Sequence, residues 1–359
     1  MARRQTSGRP PLTRRPVDGS LMPARRRGWP FWPRLGLDGR ISCHCFAVLR
    51  ASSEHSEETS LNAAKSPRQD SGTMRSEESL CTGMPDSATE EMGMPELPEI
   101  ESMARQLWSL VSGKVIVRAI CGQPKAVKPS PAEFQALAKG PVTGVSRRAK
   151  SLILELPTGS AWLHMGLGGQ VVYEAETGKD HPALVAFEFA DGSRLAIVHC
   201  FMGHARFLRP EQSVEEWQRF GLEPLHSKFT PEALGAIMSM TPRMTVKALL
   251  MDQSKIAGIG NTYSDEILHE AGIHPATRVS ALCESDRCRL FDATQSVLTR
   301  AIAAGGEPEW IGFDGCGGRY VMQIHRREDC GRCGAASSKI TLQGRTSYFC
   351  PSCQPAPSL

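Results

Sequence analysis

Four cysteines near the C-terminus constrain the fold of this chain more than any other feature. They form two Cys-x-x-Cys pairs with sixteen residues between them, and they are Cys330, Cys333, Cys350 and Cys353. Two such pairs at this spacing close a tetrahedral four-thiolate zinc site. Four unrelated cysteines or a redox pair is the less favoured alternative. Because four protein ligands leave no open coordination position, the zinc is expected to stabilise the fold and take no part in catalysis.

The segment between the two pairs contains two short stretches of strand character, residues 340–343 and 346–349. They predict a β-hairpin whose tip contains Gly344 and Arg345. A guanidinium at a hairpin tip suits contact with a phosphate, and a solvated loop charge is the alternative. A C-terminal zinc β-hairpin finger is therefore expected over residues 320–359.

The composition excludes a membrane-spanning protein. The 359 residues suggest two domains with additional segments, and the sequence has no run of about 18 uncharged apolar residues. The Arg-rich start is not followed by the apolar core of a signal peptide. Twelve cysteines without such a signal favour a reducing compartment, where paired cysteines more often bind metal than form disulfides.

Residues 1–93 differ from the rest of the chain. Residues 1–50 contain eleven Arg and no Lys against two Asp, and a tract rich in Ser, Glu and Thr covers residues 52–91. This composition buries too little apolar surface to offset chain entropy, so disorder is expected, and only residues 41–49 could pack. The extension is an organellar targeting peptide, a regulatory tail, or an upstream stretch included by a wrong choice of start codon. The third interpretation is preferred, on chemical grounds that concern residue 95.

From Met94 onward the sequence has the pattern of a folded domain, expected over residues 94–222. Apolar residues at helical spacing predict an amphipathic helix within residues 95–112, closed by Gly113. Strand patterns follow at residues 151–156, 161–164, 171–173, 184–189 and 195–198. A β-sandwich domain with an N-terminal helix is predicted.

The pattern then becomes helical, and a second domain is expected over residues 223–319. Its predicted helices cover residues 231–238, 245–251, 261–271 and 285–304. The turn from Gly258 to Gly260 precedes the helix that begins at Asn261. Free N–H groups at that helix start, with Asn261, would form a phosphate site, although a helix-packing turn explains the glycines equally well.

Four specific motifs occur in order along the chain. They are the MPELPEIE sequence from Met94, the RRAK sequence ending at Lys150, the block 247–275, and the C-terminal finger with Gln343, Arg345 and CPSCQ. Together they resemble the formamidopyrimidine-DNA glycosylase/endonuclease VIII family over residues 94–355. The resemblance implies an α+β multidomain protein with a helix–two-turn–helix element and one structural zinc ion. It also implies a base-excision repair DNA glycosylase with AP-lyase activity, whose partner is damaged double-stranded DNA.

The resemblance further implies that an N-terminal proline is the nucleophile, which corresponds to Pro95. A secondary amine attacks C1′ of the damaged nucleotide and forms an iminium with the opened sugar. Glu96 corresponds to the general acid that assists ring opening, and Glu99 to a supporting carboxylate. Without the resemblance, all three are ordinary residues for the first turn of a helix. Because an amide nitrogen has no free lone pair, the active form is expected to begin at Pro95.

The remaining site residues are also implied by the resemblance. Lys150 corresponds to a lysine that contacts phosphate and assists elimination, and Arg345 to the finger arginine that acts on phosphate and in the second elimination. Lys247 and Asn261 correspond to residues that bind the DNA backbone. Leu167 corresponds to a side chain that fills the gap left by a flipped base.

Two departures from the family pattern affect the expected substrate. Residues 199–204 replace the segment that usually supplies an Arg and a Phe to the gap, so Phe201, Met202 or His204 are possible substitutes. The loop 306–330 is shorter than the purine-capping loop of the 8-oxoguanine enzymes. We expect oxidised or ring-opened bases as substrates, purines slightly ahead of pyrimidines. An endonuclease VIII-like enzyme and a non-catalytic damaged-DNA-binding protein remain the alternatives.

The expected assembly is a monomer without a membrane partner. In a bacterium the expected location is the cytoplasm or nucleoid. A nucleus or organelle is the alternative if the Arg-rich N-terminus is a targeting segment.

Overall fold

The computed structural model describes residues 93–176 and 182–356. The predictions made for the N-terminal extension therefore lie outside the described residues, except at Gly93. The described part combines helices, two five-stranded sheets and a two-stranded hairpin, which confirms the predicted α+β class. No helix in this part of the chain is long and apolar enough to cross a membrane.

The first helix, α1 (Leu97–Val111), forms where the helical spacing predicts it. Ile100 and Leu107 on its apolar face are completely buried, because residues three and four apart lie on the same side of a helix. The chain leaves the helix through Gly113, which has a φ of +73°. α1 thus contributes one apolar stripe to the core of the β-rich region.

Ten strands and two short helices follow α1 in the described residues. They are β1 (Val115–Cys121), β2 (Val127–Lys128), α2 (Pro131–Leu137), β3 (Gly140–Pro141), β4 (Gly144–Arg148), β5 (Ser151–Leu156), β6 (Gly159–His164), β7 (Gln170–Glu174), β8 (Ala183–Phe189), β9 (Arg194–Val198), β10 (His204–Leu208) and α3 (Pro210–Gln218). The predicted strands are confirmed. Helices α2 and α3 were not predicted, because each is too short to show a clear helical period.

The strands form two sheets that pack around one apolar core. The first has the order β3-β1-β8-β9-β7 and the second the order β2-β10-β6-β5-β4. Neighbouring strands are antiparallel apart from the β2–β10 pair, which is parallel. Leu163 and Phe207 of the second sheet meet Phe187 of the first in this core. This sandwich-like arrangement confirms the prediction for the first half of the folded region.

The helical part contains α4 (Pro231–Met240), α5 (Val246–Met251), α6 (Asn261–Ala271) and α7 (Glu284–Ala303). The four predicted helices are confirmed, with boundaries that differ by at most two residues. A second apolar core joins them, and it includes Tyr263 of α6 and Leu298 of α7. Leu97 of α1 belongs to this second core as well, so α1 contacts both halves of the fold.

The turn before α6 lies directly against the start of α1. The Leu97 N–H donates a hydrogen bond to the Gly258 carbonyl over 3.0 Å, and Gly258 has a φ of +92°. The predicted turn is therefore also a packing turn. It brings the first residues of α1 to the first residues of α6.

A buried ion-pair cluster at the end of β4 makes a second link between the two halves. One Glu223 oxygen accepts from Arg147 Nη2 at 2.6 Å, and the other accepts from Arg148 Nη1 at 2.8 Å. The Ala149 N–H also donates to this carboxylate, at 2.8 Å. All of these side chains are buried, so neither arginine of the RRAK motif is free to contact a ligand.

The C-terminal hairpin consists of β11 (Ser338–Leu342) and β12 (Arg345–Phe349). The turn residues are Gln343 and Gly344, both with positive φ, as a tight two-residue hairpin turn requires. Arg345 pairs with Leu342 and begins the second strand. The prediction of a hairpin is confirmed, but Arg345 lies one residue beyond the turn.

We expect Glu223→Ala to lower the free energy of unfolding by about 3–5 kcal/mol, because it leaves the Arg148 guanidinium buried without a carboxylate and leaves Arg147 with Glu101 alone. Urea unfolding followed by circular dichroism measures this change. The matched control is Glu284→Ala, which removes an exposed carboxylate paired with Arg287 and should change the free energy by less than about 1 kcal/mol. If both substitutions lowered the free energy of unfolding equally, the buried cluster would stabilise the fold no more than an exposed ion pair does.

Candidate functional site

The Glu96 side chain is bound by the N-terminus of α6. One carboxylate oxygen accepts from the Gly260 N–H at 2.6 Å and from the Tyr263 N–H at 3.4 Å, and the other accepts from the Thr262 N–H at 3.1 Å. Glu96 is 3% exposed. Unpaired N–H groups and the helix dipole make a helix start a favourable site for a carboxylate. The residue next to Pro95 is thereby fixed against the helical half.

This contact corrects the predicted phosphate site at α6. The N–H groups predicted to be free for a DNA phosphate include three at the start of α6 that bind Glu96 instead. The physical reason is that α1 begins directly beside the turn and supplies an intramolecular anion.

Lys150 lies in the turn between β4 and β5, where Ala149 has a φ of 51°. Its Nζ atom is 3.8 Å from Glu96 Oε1, and its side chain is 13% exposed. A Cβ atom on Gly260 would lie 2.1 Å from this Nζ and 2.2 Å from Glu96 Oε1. Gly260 is therefore needed for the close approach of the lysine, the carboxylate and the helix start. Pro95, which is itself buried, directly precedes this group.

Glu99 forms the other side of the same cluster. Its Oε2 accepts from the Glu96 N–H at 2.9 Å, as in a capping box, and its Oε1 accepts from the Tyr263 hydroxyl at 2.5 Å. Burial raises the pKa of Glu99 to about 7, and the nearby Glu96 carboxylate acts in the same direction. Glu99 can therefore hold or release a proton close to neutral pH.

Lys247 is buried in an ion pair. Its Nζ atom donates to Asp265 Oδ1 at 2.5 Å and to the Asn261 carbonyl at 3.3 Å, and its side chain is 2% exposed. Burial lowers the pKa of Lys247, while Asp265 opposes that change. The interaction with Asp265 holds the lysine beside the first turn of α6.

Asn261 and Arg345 lie where α6 meets the C-terminal hairpin. The Asn261 Nδ2 atom donates to the Thr346 carbonyl at 2.9 Å. Its Oδ1 atom is buried and has no hydrogen-bond partner among the described residues. Arg345, the neighbour of Thr346, is exposed and close enough to disfavour the charged form of Lys247. The structure thus brings these three predicted DNA-binding residues together.

Leu167 lies on a loop that pairs with the segment between β9 and β10. The Leu167 N–H donates to the Phe201 carbonyl at 2.8 Å, and the Phe201 N–H donates to the Leu167 carbonyl at 3.1 Å. Leu167, Phe201 and Met202 are 36%, 66% and 72% exposed. Of the suggested substitutes, Phe201 and Met202 present large apolar side chains to solvent. His204 instead stacks on His164 at 4.9 Å.

The four predicted zinc ligands converge in the C-terminal finger. Their Sγ atoms all lie within 4.8 Å of one another, with Cys330 and Cys353 3.9 Å apart and Cys333 and Cys350 3.6 Å apart. A tetrahedron with Zn–S bonds of about 2.3 Å requires sulfurs about 3.8 Å apart. The donor set and its geometry therefore fit a zinc ion. His269 of α6 lies beside it, with Nε2 3.0 Å from Cys330 Sγ.

Sequence reasoning missed three residues that organise this region. Asp265 joins Lys247 to the hairpin by accepting from the Ser347 hydroxyl and the Tyr348 N–H. Tyr263 contacts Glu99, and Glu307 lies beside Glu99 in the loop after α7. Asp265 and Tyr263 fall in the recognised 247–275 block, but nothing in the pattern distinguishes them from surface helix residues. Glu307 adjoins two glycines, which indicated only a helix end.

Comparison with known proteins identifies the same region. Residues 94–200 match the formamidopyrimidine-DNA glycosylase N-terminal domain, and residues 220–309 match the formamidopyrimidine-DNA glycosylase H2TH domain. Residues 328–356 match the zinc finger found in FPG and IleRS. This finger and the four-cysteine cluster confirm the prediction of one structural zinc ion.

Curated relatives and solved structures agree with these matches. The chain is 34% identical over 277 residues to a formamidopyrimidine-DNA glycosylase of Shouchella clausii, covering 74% of this chain and 100% of the relative. A Chloroflexus aurantiacus protein of the same name is 36% identical over 274 residues, covering 73% and 98%.

Among solved structures, Lactococcus lactis Fpg in complex with DNA containing an abasic site has a TM-score of 0.68 and 28% identity, covering 73% of this chain and 100% of that one. The wild-type Lactococcus lactis protein with DNA containing N7-benzyl-Fapy-dG gives the same four values. This chain belongs to the formamidopyrimidine-DNA glycosylase family.

Proposed function

We propose that this chain is a base-excision repair DNA glycosylase with AP-lyase activity, in which the Pro95 nitrogen is the nucleophile. The amine attacks C1′ of a damaged nucleotide as the bond from C1′ to the base breaks, and the sugar ring then opens to an iminium. Elimination breaks the strand on the 3′ side, and a second elimination breaks it on the 5′ side. The partner is damaged double-stranded DNA.

The observation that carries this proposal is the arrangement around the start of α1. Glu96 directly follows the proposed nucleophile and is held by the start of α6. Lys150 Nζ lies 3.8 Å from the Glu96 carboxylate. In this proposal Glu96 gives a proton to the sugar oxygen and Lys150 assists the elimination. Glu99 supports Glu96 by accepting a hydrogen bond from its backbone N–H.

The proposed chemistry requires that Pro95 be the first residue of the active form. Its nitrogen forms an amide with Met94 in the full sequence, and amide resonance removes the lone pair that would attack C1′. Start at Met94 followed by methionine removal supplies the amine in one step. Residues 1–94 would then be absent from the active protein.

The DNA would bind across the surface that contains Lys247, Asn261 and Arg345. Arg345 is exposed for contact with a phosphate and takes part in the second elimination in this proposal. The Asn261 side-chain amide would also contact the DNA backbone. So would the Lys247 N–H that is not bonded to Asp265 or Asn261. Leu167, with Phe201 and Met202 beside it, would fill the gap that the flipped nucleotide leaves.

For the lesion we propose oxidised or ring-opened bases, with purines slightly ahead of pyrimidines. The relatives in the solved complexes were crystallised with DNA containing Fapy-type or abasic lesions. We place the reaction where DNA is found, in the cytoplasm or nucleoid if the source is bacterial.

We expect a protein that begins at Pro95 to be trapped on lesion-containing duplex by borohydride, which reduces the iminium to a stable amine. The full-length chain should trap at least about 100-fold less, because its Pro95 nitrogen is an amide. Gel electrophoresis of a panel of lesion duplexes measures both and identifies the preferred base.

The matched control is a protein that begins at Pro95 with its amine acetylated, which should bind DNA and fail to trap. Native mass and N-terminal sequencing establish which form exists. If the full-length chain traps as well as the short form, Pro95 is not the nucleophile, and Lys150 is the first replacement to test. Binding without any trapping would support the alternative of a non-catalytic damaged-DNA-binding protein.

We expect Lys247→Ala and Asn261→Ala to weaken binding to damaged and undamaged duplex by similar factors, because phosphate contacts carry little sequence information. Lys247→Ala should also reduce the log–log salt slope by about one if the lysine neutralises one phosphate. Fluorescence anisotropy at several salt concentrations measures both effects.

Lys125→Ala, at an exposed lysine in the connection between β1 and β2, is the control and should leave affinity unchanged. Because Lys247 pairs with the buried Asp265, the stability of the Lys247→Ala variant must be measured in parallel by thermal unfolding. A variant that remains folded and loses lesion discrimination while keeping affinity for plain duplex would argue against a backbone contact.

We expect metal analysis to find one zinc ion per chain, and Cys330→Ser to lose it together with DNA affinity, because the finger is too small to fold without its metal. Cys283→Ser, at an exposed cysteine outside the finger, should retain both. Full metal content and DNA binding in Cys330→Ser would exclude the assigned ligand set.

A further inference from the structure

His269 is a buried polar side chain that the reaction proposed above does not use. It lies on α6 and is 1% exposed, and its Nε2 atom is 3.0 Å from the Sγ atom of Cys330. Cys330 is buried to the same degree. Buried polar atoms in folded proteins have hydrogen-bond partners, and these two atoms are partners of each other.

His269 belongs to a row of buried polar residues on one face of α6. The others are Asp265 and Glu266, and residues three and four apart lie on the same side of a helix. Asp265 accepts from the Ser347 hydroxyl of the finger. Glu266 accepts from three consecutive backbone N–H groups, those of residues 323–325. This face of α6 therefore holds the C-terminal segment by hydrogen bonds, and His269 meets that segment at the zinc site.

Two further contacts fix the end of α6 against the finger. The Gln354 side chain donates from Nε2 to the Ile273 carbonyl at 2.9 Å. Arg332, which lies between two of the zinc ligands in the sequence, donates from Nη2 to the Glu270 carbonyl at 3.2 Å. The imidazole of His269 is thus held beside the finger by more than its own hydrogen bond.

The direction of this hydrogen bond follows from the chemistry of zinc ligands. A cysteine that binds zinc is a thiolate and carries no proton, so Cys330 Sγ can only accept. The hydrogen must therefore lie on His269 Nε2, which donates. Four thiolates around one divalent cation retain net negative charge. A hydrogen bond to such a charged acceptor is stronger than one to a neutral acceptor, and it offsets the cost of burying the charge.

The two buried thiolates of the site obtain their donors from different places. Cys330 and Cys350 are buried, whereas Cys333 is exposed. Cys350 Sγ accepts from the Cys353 N–H at 3.4 Å, which is a contact within the finger. The donor to Cys330 comes from α6, outside the finger. The finger therefore depends on a neighbouring helix for the hydrogen bond to one of its buried ligands.

We propose that His269 is a positioning residue for the zinc site, whose Nε2–H donates to the Cys330 thiolate and thereby slows the loss of zinc. The bond withdraws charge from the sulfur and makes it a weaker base toward a competing proton. It also fixes the sulfur in place relative to α6. This inference does not rest on the proposed enzymatic function, because zinc binding is measured directly.

The test is the zinc dissociation constant of the full chain, measured by competition with a chromogenic chelator under reducing conditions. His269→Leu removes the donor but keeps a buried apolar side chain, and it should weaken zinc binding about 10- to 100-fold, as loss of a hydrogen-bond partner of a metal ligand does elsewhere. His269→Gln carries an amide N–H that can replace Nε2–H. It should remain within about threefold of wild type.

The matched control is His274→Leu. His274 is also buried, and its ring packs edge-on against Phe349 of the finger with centroids 4.5 Å apart. This variant should keep the wild-type zinc affinity even if its melting temperature falls. Wild-type affinity in His269→Leu would overturn the proposal. Equal weakening in His269→Leu and His269→Gln would also overturn it, because the loss would then come from packing rather than from the donor.

A spectroscopic measurement separates the hydrogen bond from a general loosening of the finger. In the protein loaded with Co²⁺, hydrogen bonds to sulfur change the energy of the sulfur-to-metal charge-transfer band, because they tune the electronic structure of metal thiolates. The band should move to lower energy in His269→Leu and stay in place in His269→Gln and His274→Leu. An unchanged band in His269→Leu would contradict the proposal. So would a wild-type spectrum of three sulfurs and one nitrogen, since His269 would then be a ligand.

Discussion

The binding of the Glu96 carboxylate by the start of α6 is the interaction on which the rest of the site depends. It joins residues 164 to 167 positions apart in the sequence, through the N–H groups of Gly260, Thr262 and Tyr263. A carboxylate gains most where backbone donors are otherwise unpaired and the helix dipole is favourable. The contact fixes the N-terminal end of α1 and so fixes Pro95. A side chain at position 260 would displace the Glu96 carboxylate and the Lys150 amine from this arrangement.

A second buried carboxylate, that of Asp265, joins α6 to the zinc finger, as Glu96 joins α1 to α6. It accepts from Lys247, from the Ser347 hydroxyl and from the Tyr348 N–H, and its side chain also bonds His325. A buried carboxylate without such partners would cost several kcal/mol. The partners come from three parts of the sequence, so folding the finger and placing the lysine depend on one another. The zinc site also lies next to His269 of α6, so the finger contacts this helix at a second place.

The two loops that carry Leu167 and Phe201 place apolar side chains on the surface of the β-rich half. Their backbones pair reciprocally, and the pairing leaves three apolar side chains exposed in one place. Leu167, Phe201 and Met202 form this exposed apolar group, and it is the group proposed to fill the gap beside a flipped base. A change in this group would alter which bases fit beside the gap more readily than it would alter the chemistry at C1′.

Much of this architecture follows from the sequence itself. The two Cys-x-x-Cys pairs, the helical spacing of α1 and the start of α6 at Asn261 depend on residues close together in the chain, so local patterns determined them. The motifs likewise placed Pro95, Glu96 and Lys150 within one site. What the sequence could not determine depends on distant contacts. The predicted free N–H groups of α6 are bound to Glu96, Lys247 is buried against Asp265, and Glu307 lies on Glu99. Burial and the distance between charges decide whether an acid keeps its proton and whether a lysine is free, and only the tertiary structure sets them.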